Sequence, residues 1–175
     1  MGRQRKIFLI DGYNLINFWP ELSALADYAE ARDRLVEFMA EYGAYEKYAI
    51  MIVFDALFTE DEEHQEKINH HLWVVYTGKG ETADSYIERT AYGLVRQGRE
   101  VHVVTSDGAE QSVILGAGAY RLPSKEFYRM IKSTKEQVRR KISSEKTAVF
   151  KRNVISDRIP PEIAEKLDKL RKKAD

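Results

Sequence analysis

Three stretches of this chain, Ile7–Ile10, Ile50–Phe54 and Leu72–Val75, are apolar at every position, and each leads within a few residues to a carboxylate. Unbroken apolar runs, as opposed to alternating ones, mark strands covered by helices on both faces, which is the environment of a parallel sheet. The first run ends at Asp11 and the second at Asp55. The third passes through Thr77-Gly78 to Glu81 and Asp84. A fourth run, Val101–Val104, leads through Thr105-Ser106 to Asp107. Parallel strands point the same way, so their C-terminal ends share one edge, where open α/β sheets bind ligands. Acidic groups gathered there repel one another unless a cation lies between them. A hard divalent ion with oxygen ligands, Mg²⁺ or Mn²⁺, is the natural candidate.

Between the runs the pattern is helical. Ala24, Tyr28, Ala31, Leu35, Phe38, Met39 and Tyr42 form one stripe over about 21–42, with Gly43 as the expected stop. The acidic stretch Thr59-Glu60-Asp61-Glu62-Glu63 reads as a loop or a short capped helix. Further helices are expected at 82–96, ended by Gly98, near 108–116, and at 124–142 after a short strand Ala119–Leu122 and Pro123. Residues 143–159 read as a linker, and Pro160-Pro161 opens a last charged helix. Strand–helix alternation of this kind predicts a single α/β domain with a parallel, doubly wound sheet of about five strands flanked by helices. A basic helical extension follows it. The expected division is 1–145 and 146–175.

Composition narrows the chemistry. The 175 residues include no cysteine, which excludes a disulfide scaffold, a zinc–thiolate site and a cysteine nucleophile, and suits a reducing cytoplasm. No apolar run reaches the roughly 18 residues a membrane helix needs. The net charge of zero hides a segregation. Residues 1–120 carry 20 acidic against 11 basic residues, whereas 121–152 carry 11 basic against 3 acidic. An acidic body joined to a basic segment points to a polyanionic partner; the competing reading is a solvated helix face.

Each candidate residue has a plainer alternative. Glu81, Asp84 and Glu88 lie within about 60° of one another on a helix, yet acids in a first turn also offset the helix dipole. Asp107, in Asp107-Gly108-Ala109-Glu110, also reads as an N-cap. Asp11 before Gly12 suits a turn, and Asp55 a loop. Asn14 could orient a carboxylate, a water or a phosphate oxygen, or cap a turn. His64, His70, His71 and His102 lack metal-ligand spacing, and no phosphate-binding loop or nucleophile elbow is present. What favours a site is the joint pattern, because structure alone does not require an acid at every strand end.

Ile10-Asp11-Gly12-Tyr13-Asn14-Leu15-Ile16, Val53-Phe54-Asp55, Glu81-Thr82-Ala83-Asp84-Ser85-Tyr86-Ile87-Glu88 and Val104-Thr105-Ser106-Asp107 together resemble the YacP-like NYN domain, a branch of the PIN-like nucleases. The resemblance spans roughly 5–145. It implies a parallel α/β sheet and metal-dependent endonucleolytic cleavage of RNA, leaving a 5′-phosphate and a 3′-hydroxyl. It casts Asp11 and Asp84 as the principal acids and Asp107 as a third; Asn14, three residues after Asp11, is a further catalytic candidate. Asp55, Glu81 and Glu88 are further possible metal ligands.

On this reading Mg²⁺ or Mn²⁺ held by the acids lowers the pKa of a water and offsets charge on the phosphate. Lys125, Arg129, Lys132, Lys135, Arg139, Arg140 and Lys141 track backbone phosphates in a sequence-blind, salt-dependent way. Tyr13, Phe18, Trp19 and Tyr86 are candidates for stacking on unpaired bases; a core position competes for each and is preferred for Phe18. Three functions remain open: a metal-dependent RNA endonuclease acting on single-stranded mRNA, with the ribosome as a possible partner; a catalytically silent RNA- or ribosome-binding module; and a small-molecule phosphohydrolase. The last usually needs a second acid two residues after the first, and position 13 is Tyr13.

Overall fold

The computed structural model describes residues 6–55, 63–106 and 118–156, with 146–156 as backbone. Asp107, the helix expected near 108–116, most of the acidic stretch after residue 55 and the final helix lie outside the described residues. The chain forms two compact units, Met1–Lys132 and Ser133–Asp175.

The first unit is built on a six-stranded sheet in the order β3-β4-β2-β1-β5-β6. The strands are β1 Ile7–Asp11, β2 Ala49–Phe54, β3 His64–Lys67, β4 Leu72–Tyr76, β5 Val101–Val104 and β6 Tyr120–Leu122. The expected parallel strands are all present. The sixth, β3, pairs antiparallel with β4 at one edge. Its four residues His-Gln-Glu-Lys are all exposed, so no apolar pattern announces it.

Helices α1 (Gly12–Phe18), α2 (Pro20–Ser23) and α3 (Tyr28–Glu46) connect β1 to β2, and α4 (Ala83–Arg96) connects β4 to β5. Alternate strand residues feed two cores on opposite faces of the sheet. Phe8, Ile10, Ile50, Ile52, Phe54 and Val74 pack with Leu15, Ile16, Leu35 and Met39. Leu9, Val53, Val75, Val101 and Val103 pack with Ala83, Tyr86, Ile87 and Ala91 of α4. Double coverage is why these strands read as continuous apolar runs.

The single helix expected over 21–42 is divided between α2 and α3, and α1 precedes both. Asp11 caps α1 directly, its carboxylate accepting the Asn14 N–H at 2.9 Å, and Asp27 caps α3 through the Ala29 N–H at 2.8 Å. Gly43 does not stop α3. It lets the helix approach the sheet, since a Cβ there would lie 3.2 Å from His71 Cβ and Ile50 Cδ1. The helix ends at Lys47, which takes the left-handed conformation at φ 59°. Helix α5 runs continuously over Ser124–Ser156, through the residues expected to form a linker and across the expected boundary at 145. No helix among the described residues is long and apolar enough to cross a membrane.

Candidate active site

In the register of the sheet, Asp11 stands beside Val53 and Phe54 beside Tyr76. Asp11, Asp55 and Thr77 therefore lie together at the C-terminal edge, with Thr105 following β5 there. At that edge the chain turns sharply. A Cβ on Gly12 would run into the Phe54 ring, so only glycine lets β1 pass into α1 at this point. The same turn makes Asp11 an N-cap.

Asp55 spans from β2 to α4. Its Oδ1 accepts the Ala83 N–H at 2.8 Å, one of the amides a helix start leaves unpaired. Thr82 caps the same helix by accepting the Ser85 N–H at 3.2 Å. This double anchoring sets Asp84 in the first turn of α4, where its charge bears on the other two acids. Burial, chiefly, pushes the Asp11 carboxyl up from an ordinary 3.8 to about 6; the Asn14 N–H opposes that, and the charges of Asp84 and Asp55 add to it. Burial also raises Asp55, against the Ala83 N–H and Thr77, and Asp84 again adds its repulsion. The charge of Asp84 at the start of α4 thus bears on the two carboxyls at the ends of β1 and β2.

Other expected ligands lie elsewhere. Glu81 Oε1 takes the Arg89 guanidinium at 2.9 Å, and Arg89 also reaches Glu63 at 3.5 Å. Glu81 is therefore turned toward a surface ion pair. Glu88 is exposed, and the charges bearing on Asp11 are those of Asp84 and Asp55. Sharing a helix face with Asp84 is not enough to join it.

Asn14 serves the scaffold. Its Oδ1 accepts the Ser106 N–H at 3.1 Å and the Ser124 hydroxyl at 2.7 Å, while Ser106 Oγ accepts the Ser124 N–H at 3.3 Å. One amide oxygen thus ties α1 to the end of β5 and the start of α5.

An open pocket of about 560 Å³ adjoins the acids, lined by Asp11, Tyr13, Asn14, Asn17, Tyr28 and Asp55. Asn17 and Tyr28 also line this pocket, and sequence reasoning does not single them out. Asn17 carries a usable signal, because it lies one helical turn from Asn14. Tyr28 falls on the apolar stripe in the sequence but is 61% exposed. Of the proposed stacking residues, Trp19 and Tyr86 are buried, whereas Phe18, preferred for the core, is 45% exposed. All seven basic residues singled out on α5 are exposed.

Among the described residues no three Asp, Glu or His side chains form a complete metal-binding group by themselves. Mg²⁺ characteristically keeps several waters and is held by one or two carboxylates together with substrate phosphate. The donor set is all oxygen, and its mutual repulsion is the feature a cation relieves.

A family model described as the YacP-like NYN domain matches residues 8–172. The chain belongs to that family. Its fold is that of the PIN-like nucleases, whose members generally use divalent metals. The match passes the limit near 145 that the motifs suggest and takes in α5. A protein described as uncharacterized protein YacP, from Bacillus subtilis strain 168, is 40% identical over 147 residues, covering 81% of this chain and 86% of that one. The crystal structure of Rae1 (YacP) from Bacillus subtilis has a TM-score of 0.67 at 36% identity, covering 95% of this chain and 94% of that one. A single-substitution variant of the same protein gives 0.71 at 36% identity, covering 81% and 84%.

Proposed function

We propose that this protein is a divalent-metal-dependent endoribonuclease that hydrolyses phosphodiester bonds in single-stranded RNA. The observation that carries the proposal is the trio Asp11, Asp55 and Asp84. They are acids from three different elements, and the charge of Asp84 adds to burial in raising the proton affinity of Asp11 and Asp55. A scaffold that only bound RNA would gain nothing from carboxylates that repel its ligand.

In the proposed reaction Asp11 and Asp84 are the principal metal ligands, with Asp107 as a third and Asp55 contributing from β2. Mg²⁺ or Mn²⁺, when bound, supplies a water of lowered pKa and offsets the charge of the phosphate. Asp55 holds the start of α4 through Ala83 and so fixes where Asp84 stands. Asn14 keeps Asp11 aligned by its own N–H and locks the end of β5 by its side chain. The products are a 5′-phosphate and a 3′-hydroxyl. The basic residues of α5, Lys125 and Arg129 through Lys141, contact backbone phosphates. The target we assign is mRNA in the cytoplasm, with the ribosome the partner to test for its delivery.

The test has two parts. Purified protein should cut an unstructured RNA in Mg²⁺ or Mn²⁺ and not in EDTA, and Asp11→Asn and Asp84→Asn should each lose cleavage while remaining folded. Mapping RNA 5′ ends in cells with and without the protein should then locate its sites, with polysome fractionation reporting on the ribosome. Cleavage that survives exhaustive metal removal, or full activity in Asp84→Asn, would refute the mechanism.

A further inference from the structure

The acidic pocket has an aromatic wall. Tyr28 meets Tyr13 edge to face at 5.9 Å, Tyr13 meets Phe54 in the same way at 5.2 Å, Phe54 stacks on Tyr76 at 5.8 Å, and Tyr76 stacks on His64 at 6.0 Å. This ladder runs from the first residue of α3 down to the edge strand β3. Arg32, one turn along α3 from Tyr28, braces it: its guanidinium lies 5.9 Å from the centre of the Tyr76 ring and makes a long hydrogen bond of 3.4 Å to the Tyr13 hydroxyl. The rings are therefore fixed before any ligand arrives.

The outermost ring is out of keeping with the rest. Among the described residues, Tyr28 is the large hydrophobic side chain most open to solvent, yet Asp27 pins its backbone at the helix start and Tyr13 supports its edge. An aromatic ring held rigid and left exposed at a pocket mouth has a free face at low entropic cost. The same pocket is lined by Asn14 and Asn17 and by the acids Asp11 and Asp55. A volume of about 560 Å³ is in the range of sites for small organic ligands. The walls match the two parts of a nucleotide: a π-face for the base, and donors beside a cation-binding edge for its phosphate.

We propose that Tyr28 stacks on the unpaired base next to the scissile phosphate, with the Asn17 amide meeting the base edge. This rests on the endoribonuclease reading and deepens it. A base can lie on Tyr28 only if it has left its helical stack, so the site takes single-stranded RNA and rejects duplex. Because every base has a π-face, the contact tolerates sequence. Tyr28 is a substrate-binding residue, and Arg32 and Tyr13 position it.

The experiment uses the full chain carrying Asp84→Asn, so that substrate persists, and a fluorescein-labelled, unstructured RNA of about 15 nucleotides of adenosine and uridine, long enough to cover one single-strand binding site. Adding Tyr28→Ala should weaken binding about 10-fold, within the range of one base–aromatic stack. Tyr28→Trp should retain or improve affinity. The slope of affinity against salt should be unchanged in both, since stacking releases no counterions. A strand of the same length with abasic residues should bind the parent and Tyr28→Ala alike. The inference is overturned if Tyr28→Ala binds within about two-fold of the parent, far short of one stack, or if the abasic strand binds the parent as tightly as the base-bearing one. Failure of the parent to bind any RNA would remove the proposed function itself, and this inference with it. The two failures are thus read separately.

Discussion

Replacing Asp11 by asparagine should destroy cleavage and at the same time stabilise the metal-free protein. The carboxyl is held at about 6, against an ordinary 3.8, by burial and by its acidic neighbours. A raised pKa means the folded state binds the proton more tightly than the unfolded chain, so native stability falls as pH rises from below 3.8 to above 6. At about pH 7.5 the full cost is present, about 3 kcal/mol for a gap of this size. At about pH 4.5 the native carboxyl is largely protonated, and the cost shrinks to about 1 kcal/mol. Asparagine carries no charge to bury and serves as well as aspartate at an N-cap, so the bond to the Asn14 N–H persists. Asp11→Asn should therefore gain about 3 kcal/mol at the higher pH in EDTA, a rise in Tm of roughly 6–12 °C, and about 1 kcal/mol at the lower pH. Urea denaturation of both proteins at the two pH values measures this. Saturating Mg²⁺ should stabilise the unsubstituted protein and leave the variant unmoved. A variant no more stable at the higher pH, or equally stabilised at both pH values, would refute the account of Asp11 as a carboxyl pushed up by burial and its acidic neighbours.

Three further outcomes are expected. Asn14→Ala should cost about 2–3 kcal/mol in chemical denaturation, because it strands the Ser106 N–H and the Ser124 hydroxyl together; a loss under about 0.5 kcal/mol, the floor for a single hydrogen bond, would show that the amide is not a tie. Glu81→Gln should leave cleavage within about two-fold and shift stability by less than about 1 kcal/mol, as for an exposed ion pair; loss of cleavage would return Glu81 to the metal site. Neutralising Lys132, Lys135, Arg139, Arg140 and Lys141 together should weaken RNA binding across sequences and lower the log–log salt slope by about 0.7 for each phosphate no longer neutralised; an unchanged slope would make the segment a solvated helix face.

Legibility follows the hydrophobic signal. The parallel strands declare themselves because both faces are buried, and the acids at β1 and β2 follow from where those runs stop. Helix α4 is readable from Thr82 and the apolar face of Ala83 and Ile87. Strand β3 is invisible because it is held by its ladder to β4 and buries nothing. Gly43 misleads because one residue type serves both as a helix stop and as a point of close approach. Glu81 and Asp84 share a helix face in projection, but the Arg89 partner that draws Glu81 away is eight residues on and matters only once the helix is built. Asn14 is ambiguous because its partners lie far along the chain. Tyr28 falls on the helical stripe, yet as the first residue of α3 it lies past the end of the packed surface.

The bonds from Asn14 Oδ1 cross 92 and 110 residues of sequence, which gives them a place in time. Contacts of such separation close late in folding, after local helices and neighbouring strands have formed. On a chain made from its N-terminus, Asp11, Asp55 and Asp84 are all synthesised before Ser124 exists. A nascent or truncated chain can thus carry the acids while lacking the clasp that fixes the end of β5 against α1. Assembly of the acidic edge is in this way deferred until the sheet has been joined on both sides of β1.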